Sequence, residues 1–254
     1  KEEKGGGLMT YGIAAYKVTP DFCEDEVNYI LSIGGIEVKY NQEFGKNISI
    51  DQLKAEFDAV YLAFGVGLAR QLKIPGEELE GVVDAISFIY ELRSNNFSSI
   101  KVGDSVAVIG MGMTAIDAAT QAKRLGAKDV YIVYRRTQDE MPCTEKELNI
   151  AKLDGCNIIW LAAPNEVIGK NGKVTNLICD KMKLGEPDTS GRRSPEPTGE
   201  TLNLEVDMVI KAAGQMPFED LVKSFNLENN HGKIKVEQKS ITNFKGVFAG
   251  GDCV

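Results

Sequence analysis

Ser105-Val106-Ala107-Val108-Ile109-Gly110-Met111-Gly112-Met113-Thr114-Ala115 opens the stretch that decides the fold. Five strand-forming residues run into two closely spaced glycines. An alanine-rich helical segment follows and stops at Gly126. A second apolar run, Val130 to Tyr134, then ends in Arg135 and Arg136. Strand, glycine turn, helix and strand together predict a dinucleotide-binding unit. Gly110 permits the sharp turn, Gly112 lets backbone approach a pyrophosphate, and Ala115 keeps helix and strand close. Phosphates would sit on the unpaired N–H groups at the helix N-terminus. The second strand is not followed by the acid that would bind a ribose 2′-hydroxyl. Arg135 and Arg136 offer forked donors to a 2′-phosphate instead, which favours NADP(H) over NAD, the alternative being a solvated arginine pair.

Upstream, Gly5-Gly6-Gly7-Leu8 reads as a flexible opening. Thr19 and Pro20 make an N-cap and first helical position, with the helical face ending at Gly34 and Gly35. Ile36 to Tyr40 alternates like a strand. Ser49 and Gln52 form a capping box, and Ala59 to Phe64 is apolar throughout, as a parallel strand covered on both faces would be. Gly65, Gly67 and the Pro75-Gly76 turn close this lobe, and a helix is expected from about Val82 to Ser94. Downstream, Thr144 and Glu147 cap another helix, and Asn157 to Leu161 completes a βαβαβ half. Asn171-Gly172 predicts a hairpin. Gly185 to Glu200, rich in proline, glycine and charge, reads as a surface loop. Val206 to Ala213 returns as a buried strand ending at Gly214, beside the switch in strand order where ligands bind.

The chain of 254 residues has room for two lobes, and its net charge of -8 argues against a nucleic-acid partner. No apolar run reaches the roughly 18 residues of a membrane span. The cysteines Cys23, Cys143, Cys156, Cys179 and Cys253 have no metal, cluster or C-x-x-C spacing. Their scatter suits a reducing compartment, and the expected location is the cytoplasm. The single histidine, His231, falls in a polar loop tip, so a hydrolytic triad is not expected. Asp117 has two readings, facing a ligand or complementing the helix dipole. Asp139 and Glu140 read as exposed loop acids, and Met111 and Met113 as shape elements over the phosphates. Asp252 closes Gly250-Gly251-Asp252 after an apolar strand, where its carboxylate could hold a ribitol hydroxyl or a phosphate-bound water.

These motifs carry a resemblance. Gly6-Gly7-Leu8-Met9-Thr10-Tyr11-Gly12-Ile13, the run Gly110 to Asp117, Tyr134-Arg135-Arg136 with Glu140-Met141-Pro142, and Ser190-Gly191-Arg192-Arg193 are similar to the glutamate synthase small subunit. They also resemble the similar N-terminal half of dihydropyrimidine dehydrogenase. Thr242 to Asp252 fits the eleven-residue T-x-x-x-x-h-y-h-h-G-D pattern of flavoproteins with two dinucleotide-binding domains. The resemblance implies an α/β fold in which a Rossmann-like NADPH domain, residues 81–216, is inserted in an FAD domain, residues 1–80 and 217–254. It implies hydride transfer from NADPH to FAD, with electrons passing to a large catalytic subunit or iron–sulfur domain.

Carried over residue by residue, it places the NADPH phosphates on Met111, Gly112, Met113 and Thr114, after the turn at Gly110, and the 2′-phosphate on Arg135 and Arg136. The nicotinamide side falls on Ala212, Ala213 and Gly214. FAD falls on Gly6, Gly7, Leu8, Lys17, Phe44, Gly251 and Asp252. No side-chain nucleophile and no metal ligand are implied, because the flavin carries the chemistry. Such proteins have a further strand and a G-x-G-x-x-G of their own ahead of the position of Lys1. The expectation is therefore a fragment, inactive alone. Met113 stands where an Asn or Asp is common, and Phe64 where a Thr is common. The alternative reading is a non-catalytic NADP(H)-binding module whose flavin site is lost.

Overall fold

A five-stranded parallel sheet holds the centre of the chain. The computed structural model describes residues 2–187, 189, 191 and 193–254. Lys1, Ser190 and Arg192 of the motifs above lie outside the described residues, as does Asp188. The sheet order is Val82–Asp84, Met208–Lys211, Ser105–Ile109, Asp129–Tyr134 and Asn157–Trp160, each pair parallel. From Ser105–Ile109 the chain steps outward through Asp129–Tyr134 to Asn157–Trp160, and later returns on the other side as Met208–Lys211. The switch in strand order therefore lies between Ile109 and Lys211, whose Cα atoms are partners in the ladder.

Each helix on the sheet has a sequence cause. Met113–Arg124 buries Ala115, Ala118, Ala119 and Ala122, whose small side chains let helix and sheet approach closely. It ends in a Schellman motif: Ala127 N–H donates to the Ala122 carbonyl, Gly126 N–H to that of Lys123, and Gly126 has φ +112°. Glu145–Leu153 starts at the Thr144/Glu147 capping box and closes the same way at Gly155. These helices and Ala85–Ser94 cover one face of the sheet, where Val106, Val108, Val130, Ile132 and Ile210 are buried. The other face, with Ala107, Ile109, Val133 and Val209, packs under an antiparallel sheet of Ala162–Lys170, Lys173–Pro187 and Arg193–Glu205. Asn171 and Gly172, at φ +54° and +79°, make the type I′ turn their sequence predicts.

Three expectations need correction. Gly185 to Glu200 is largely strand, because Arg193–Glu205 lies at the edge of its sheet, where Pro195 and Pro197 are tolerated since no outward N–H is needed. Val82 opens a strand, the helix beginning only at Ala85. Ile36 to Tyr40 joins no ladder among the described residues, and its apolar side chains are exposed.

The chain divides into two compact units. One comprises residues 6–30 and 71–213; the other comprises 1–5, 31–70 and 214–254. In the first, the N-terminal segment is tied down by Arg93, whose Nε donates to the Thr10 carbonyl at 2.6 Å and Nη1 to that of Val18 at 2.7 Å. Tyr11 stacks on Tyr90, and the Pro20–Leu31 helix is capped as expected, Phe22 N–H donating to Thr19 Oγ1. The second unit pairs Val60–Leu62 with Val247–Ala249 in parallel over a core of Ile50, Leu62, Val222, Ile234 and Val247. Its Ile50–Glu56 helix carries the complete Ser49/Gln52 box. His231, at φ +49° beside Gly232, is the exposed tip of a tight turn.

Candidate functional site

The site forms at the switch in strand order. Gly110 leaves the Ser105–Ile109 strand at φ +129°, a conformation L side chains rarely adopt. A Cβ there would lie 2.6 Å from the Ala212 carbonyl oxygen, so the position is closed to side chains twice over. Gly110 N–H donates to Val133 at 3.0 Å, and Ala212 N–H to Ile109 at 2.8 Å. These bonds lock the turn between its neighbouring strands.

Gly112 is the N-cap of Met113–Arg124 and supplies no side-chain cap. The first intrahelical bonds come from Ala115 and Ile116 N–H to the Gly112 carbonyl, so the N–H groups of Met113 and Thr114 precede them. A Cβ on Gly112 would meet nothing within 4 Å, leaving open space over the helix start. The arrangement suits an anion. Of the two methionines, Met113 is exposed. Met111 is buried in the core, and its carbonyl accepts the Cys143 N–H, so Met111 offers backbone rather than shape.

The arginines differ. Arg135 is exposed at the end of Asp129–Tyr134. Arg136 is buried and spends its Nε on the Arg193 carbonyl at 3.2 Å. Glu140 folds back on the Thr137 hydroxyl and N–H, which hold its carboxyl below the usual range.

Asp117 resolves differently from both of its sequence readings. At 3 % exposure it accepts Ala14 N–H, the Tyr16 hydroxyl and Lys17 Nζ, the last at 2.7 Å. Lys17 also reaches Glu147 at 2.6 Å. Burial pushes the Glu147 carboxyl up, but Lys17 and the Thr144 cap outweigh it and leave it below its ordinary value. Burial likewise disfavours the Lys17 ammonium, and its two carboxylates more than restore it. Lys17 is thus an anchor of the N-terminal segment on the central unit. Burial, helped by the neighbouring Asp154 and Asp180 carboxylates, pushes the Cys156 and Cys179 thiols up, to about 11 and about 12, which makes them poor nucleophiles.

The remaining predicted residues fall in both units. Ala212 and Ala213 follow the Met208–Lys211 strand in the central unit; Gly214 is where the chain re-enters the other. Gly6, Gly7 and Leu8 open a short helix, Gly7 being its N-cap at φ +55°. Gly251 and Asp252 are exposed beyond Val247–Ala249. Phe44 stacks on Phe225 at 4.5 Å and Phe64 at 5.9 Å, so its ring packs the flanking core, and Phe64 joins the same cluster. Sequence reasoning missed one buried polar group, in which Lys211 Nζ donates to Glu77 at 2.8 Å and Gln71 at 3.1 Å. Its one sequence signal is a lysine closing the buried run Met208-Val209-Ile210.

The pattern of the pyridine nucleotide-disulphide oxidoreductase family matches residues 5–254, and the chain belongs to that family. It is 33% identical over 253 residues to the NADP(+)-dependent formate dehydrogenase subunit beta of Moorella thermoacetica, covering 98% of this chain and 36% of that one. It is 33% identical over 268 residues to the glutamate synthase [NADPH] small chain of Azospirillum brasilense, covering 99% and 55%. The chain thus spans about half, or less, of the length of these relatives. The resemblance of the motifs to the glutamate synthase small subunit is borne out by these relatives. Mycobacterium tuberculosis FprA, solved in complex with NADPH, superposes with a TM-score of 0.71 at 22% identity, covering 96% of this chain and 69% of that one. That likeness shows a shared α/β fold. No helix among the described residues is long and apolar enough to cross a membrane.

Proposed function

We propose that this chain is the nucleotide-handling part of an NADPH-dependent flavin oxidoreductase of the glutamate synthase small-subunit type. Hydride passes from NADPH to FAD, and electrons pass on to a larger catalytic subunit or an iron–sulfur domain. The observation that carries the reading is the open, uncapped helix start at Gly112 with exposed Arg135 at the end of the next strand.

The residues fit the nucleotide. Backbone at Gly112, Met113 and Thr114 would hold the pyrophosphate, with Gly110 and Met111 shaping the turn. Arg135 would meet the 2′-phosphate first, with Arg136 fixed behind it by the Arg193 carbonyl. Ala212, Ala213 and Gly214 would flank the nicotinamide, their lack of bulk leaving its face accessible. For the flavin, Gly7 and Gly251 leave open space where a Cβ would stand, and Asp252 is an exposed acceptor. Gly6 and Leu8 shape the same turn, while Lys17 and Phe44 would act through the backbone they pack. Bound flavin would supply the two-electron acceptance and one-electron release that the side chains lack. We place the protein in the cytoplasm, where its five buried free cysteines would stay reduced. The domain boundaries at about 80 and 216 go with the same proposal.

The test is the flavin absorbance of the full-length protein under anaerobic conditions. Bleaching by NADPH, much faster than by NADH, is the expected outcome. Bound flavin that NADPH cannot bleach would sink the proposal, and NADPH binding without any flavin would identify a non-catalytic module.

A further inference from the structure

Lys211 ends an apolar strand inside a parallel sheet, an expensive place for an ammonium unless it is paired. Side chains alternate along a strand, so Lys211 shares the face of Val209, which packs with Leu72 and Ile74 beneath the antiparallel sheet. There its Nζ donates to Glu77 Oε1 at 2.8 Å and to Gln71 Oε1 at 3.1 Å. Glu77 is fully engaged. Its Oε1 also accepts Leu72 N–H at 2.8 Å, and its Oε2 accepts Lys73 N–H at 2.7 Å. Lys73 has φ +60°, so the carboxylate holds a left-handed non-glycine turn in place. Burial works against the Glu77 carboxylate, but Lys211 and the two N–H groups hold it below its ordinary value.

The place of this clasp gives it a task. Lys211 is in register with Ile109, the residue before Gly110. The next residue, Ala212, donates its N–H to Ile109 and sets its carbonyl against Gly110. Gln71 and Ala213 are the residues at which the chain enters and leaves this part of the central unit. Fixing Lys211 therefore fixes the backbone of Ala212 and Ala213 along the strand axis.

We infer that Lys211, held by Glu77 and Gln71, is a positioning residue for hydride transfer, setting the Ala212–Ala213 backbone against the glycine turn. The inference rests on the NADPH reading above. It predicts a split between chemistry and binding, because the phosphate contacts at Gly112 and Arg135 are not part of the clasp. A small displacement at the reacting end is costly in rate, by up to about a hundredfold per ångström.

The test compares full-length, flavin-loaded wild type with Lys211→Met and Glu77→Gln. One readout is anaerobic stopped-flow reduction by NADPH. The other is hydrogen exchange of the peptide spanning residues 208–214, without nucleotide. The expected result is a limiting rate lowered by about tenfold or more, half-saturation within about twofold, and faster exchange in that peptide. Lys211→Arg, which keeps the charge and its donors, should recover most of the rate. An unchanged limiting rate, unchanged exchange, or a change confined to half-saturation would overturn the inference. If either variant does not fold, Gln71→Ala removes one acceptor and is read the same way. Failure of NADPH to reduce the wild type would remove the proposed function and this inference together. Reduction of the wild type with unaffected variants would remove this inference alone.

Discussion

At the level of single residues, the candidate site separates charges that face outward from charges that hold the scaffold. Arg135 belongs to the first group, and Arg135→Ala should weaken NADPH binding about tenfold to a hundredfold, the scale of a charge-assisted hydrogen bond, while leaving NADH nearly unchanged. Titration with both nucleotides checks this; equal losses would refute the 2′-phosphate assignment. Asp117 belongs to the second. Asp117→Ala leaves the Ala14 N–H unpaired and Lys17 with Glu147 alone, and should destabilise the protein by about 2–3 kcal/mol in urea unfolding. Glu77 adds a pH signature. Its carboxyl is held below the ordinary value of roughly 4.3, so its contribution is fully present above that pH and is lost as pH falls through the folded value. Stability measured from pH 5 down to 3 should fall less steeply in Glu77→Gln than in wild type.

Among elements, the glycine turn and the helix after it are the sensitive ones. Gly110→Ala must hold φ near +129° and place a Cβ 2.6 Å from the Ala212 oxygen, so it should lower thermal stability and abolish NADPH binding together. A nucleotide titration beside a melting curve reads both. This turn was legible in the sequence because its signals are local: apolar strand, glycine spacing, alanine-rich helix and a glycine stop. Capping boxes at Ser49 and Thr144 and the Asn171-Gly172 turn were legible for the same reason. The edge strand Arg193–Glu205 was not, because its composition is that of a loop and only its place at the sheet margin makes the prolines acceptable. Asp117 and Lys211 were misread or missed because their partners lie 103 and 134 residues away, a separation no local pattern encodes.

For the molecule as a whole, the division into two units carries its own expectation. Calorimetry should resolve two transitions, and NADP+ should raise the one belonging to residues 6–30 and 71–213, by about 2.7 kcal/mol at a hundredfold excess over Kd. A single transition, or an equal shift of both, would argue against separate folding of the units. The bare helix start at Gly112 extends this reasoning to the cell. Among the described residues no side chain caps that helix, so the nucleotide would act as its cap and protect the central unit from proteolysis. Turnover of the protein would then follow the size of the NADP(H) pool: when NADPH and NADP+ together run low, the amount of this protein should shrink.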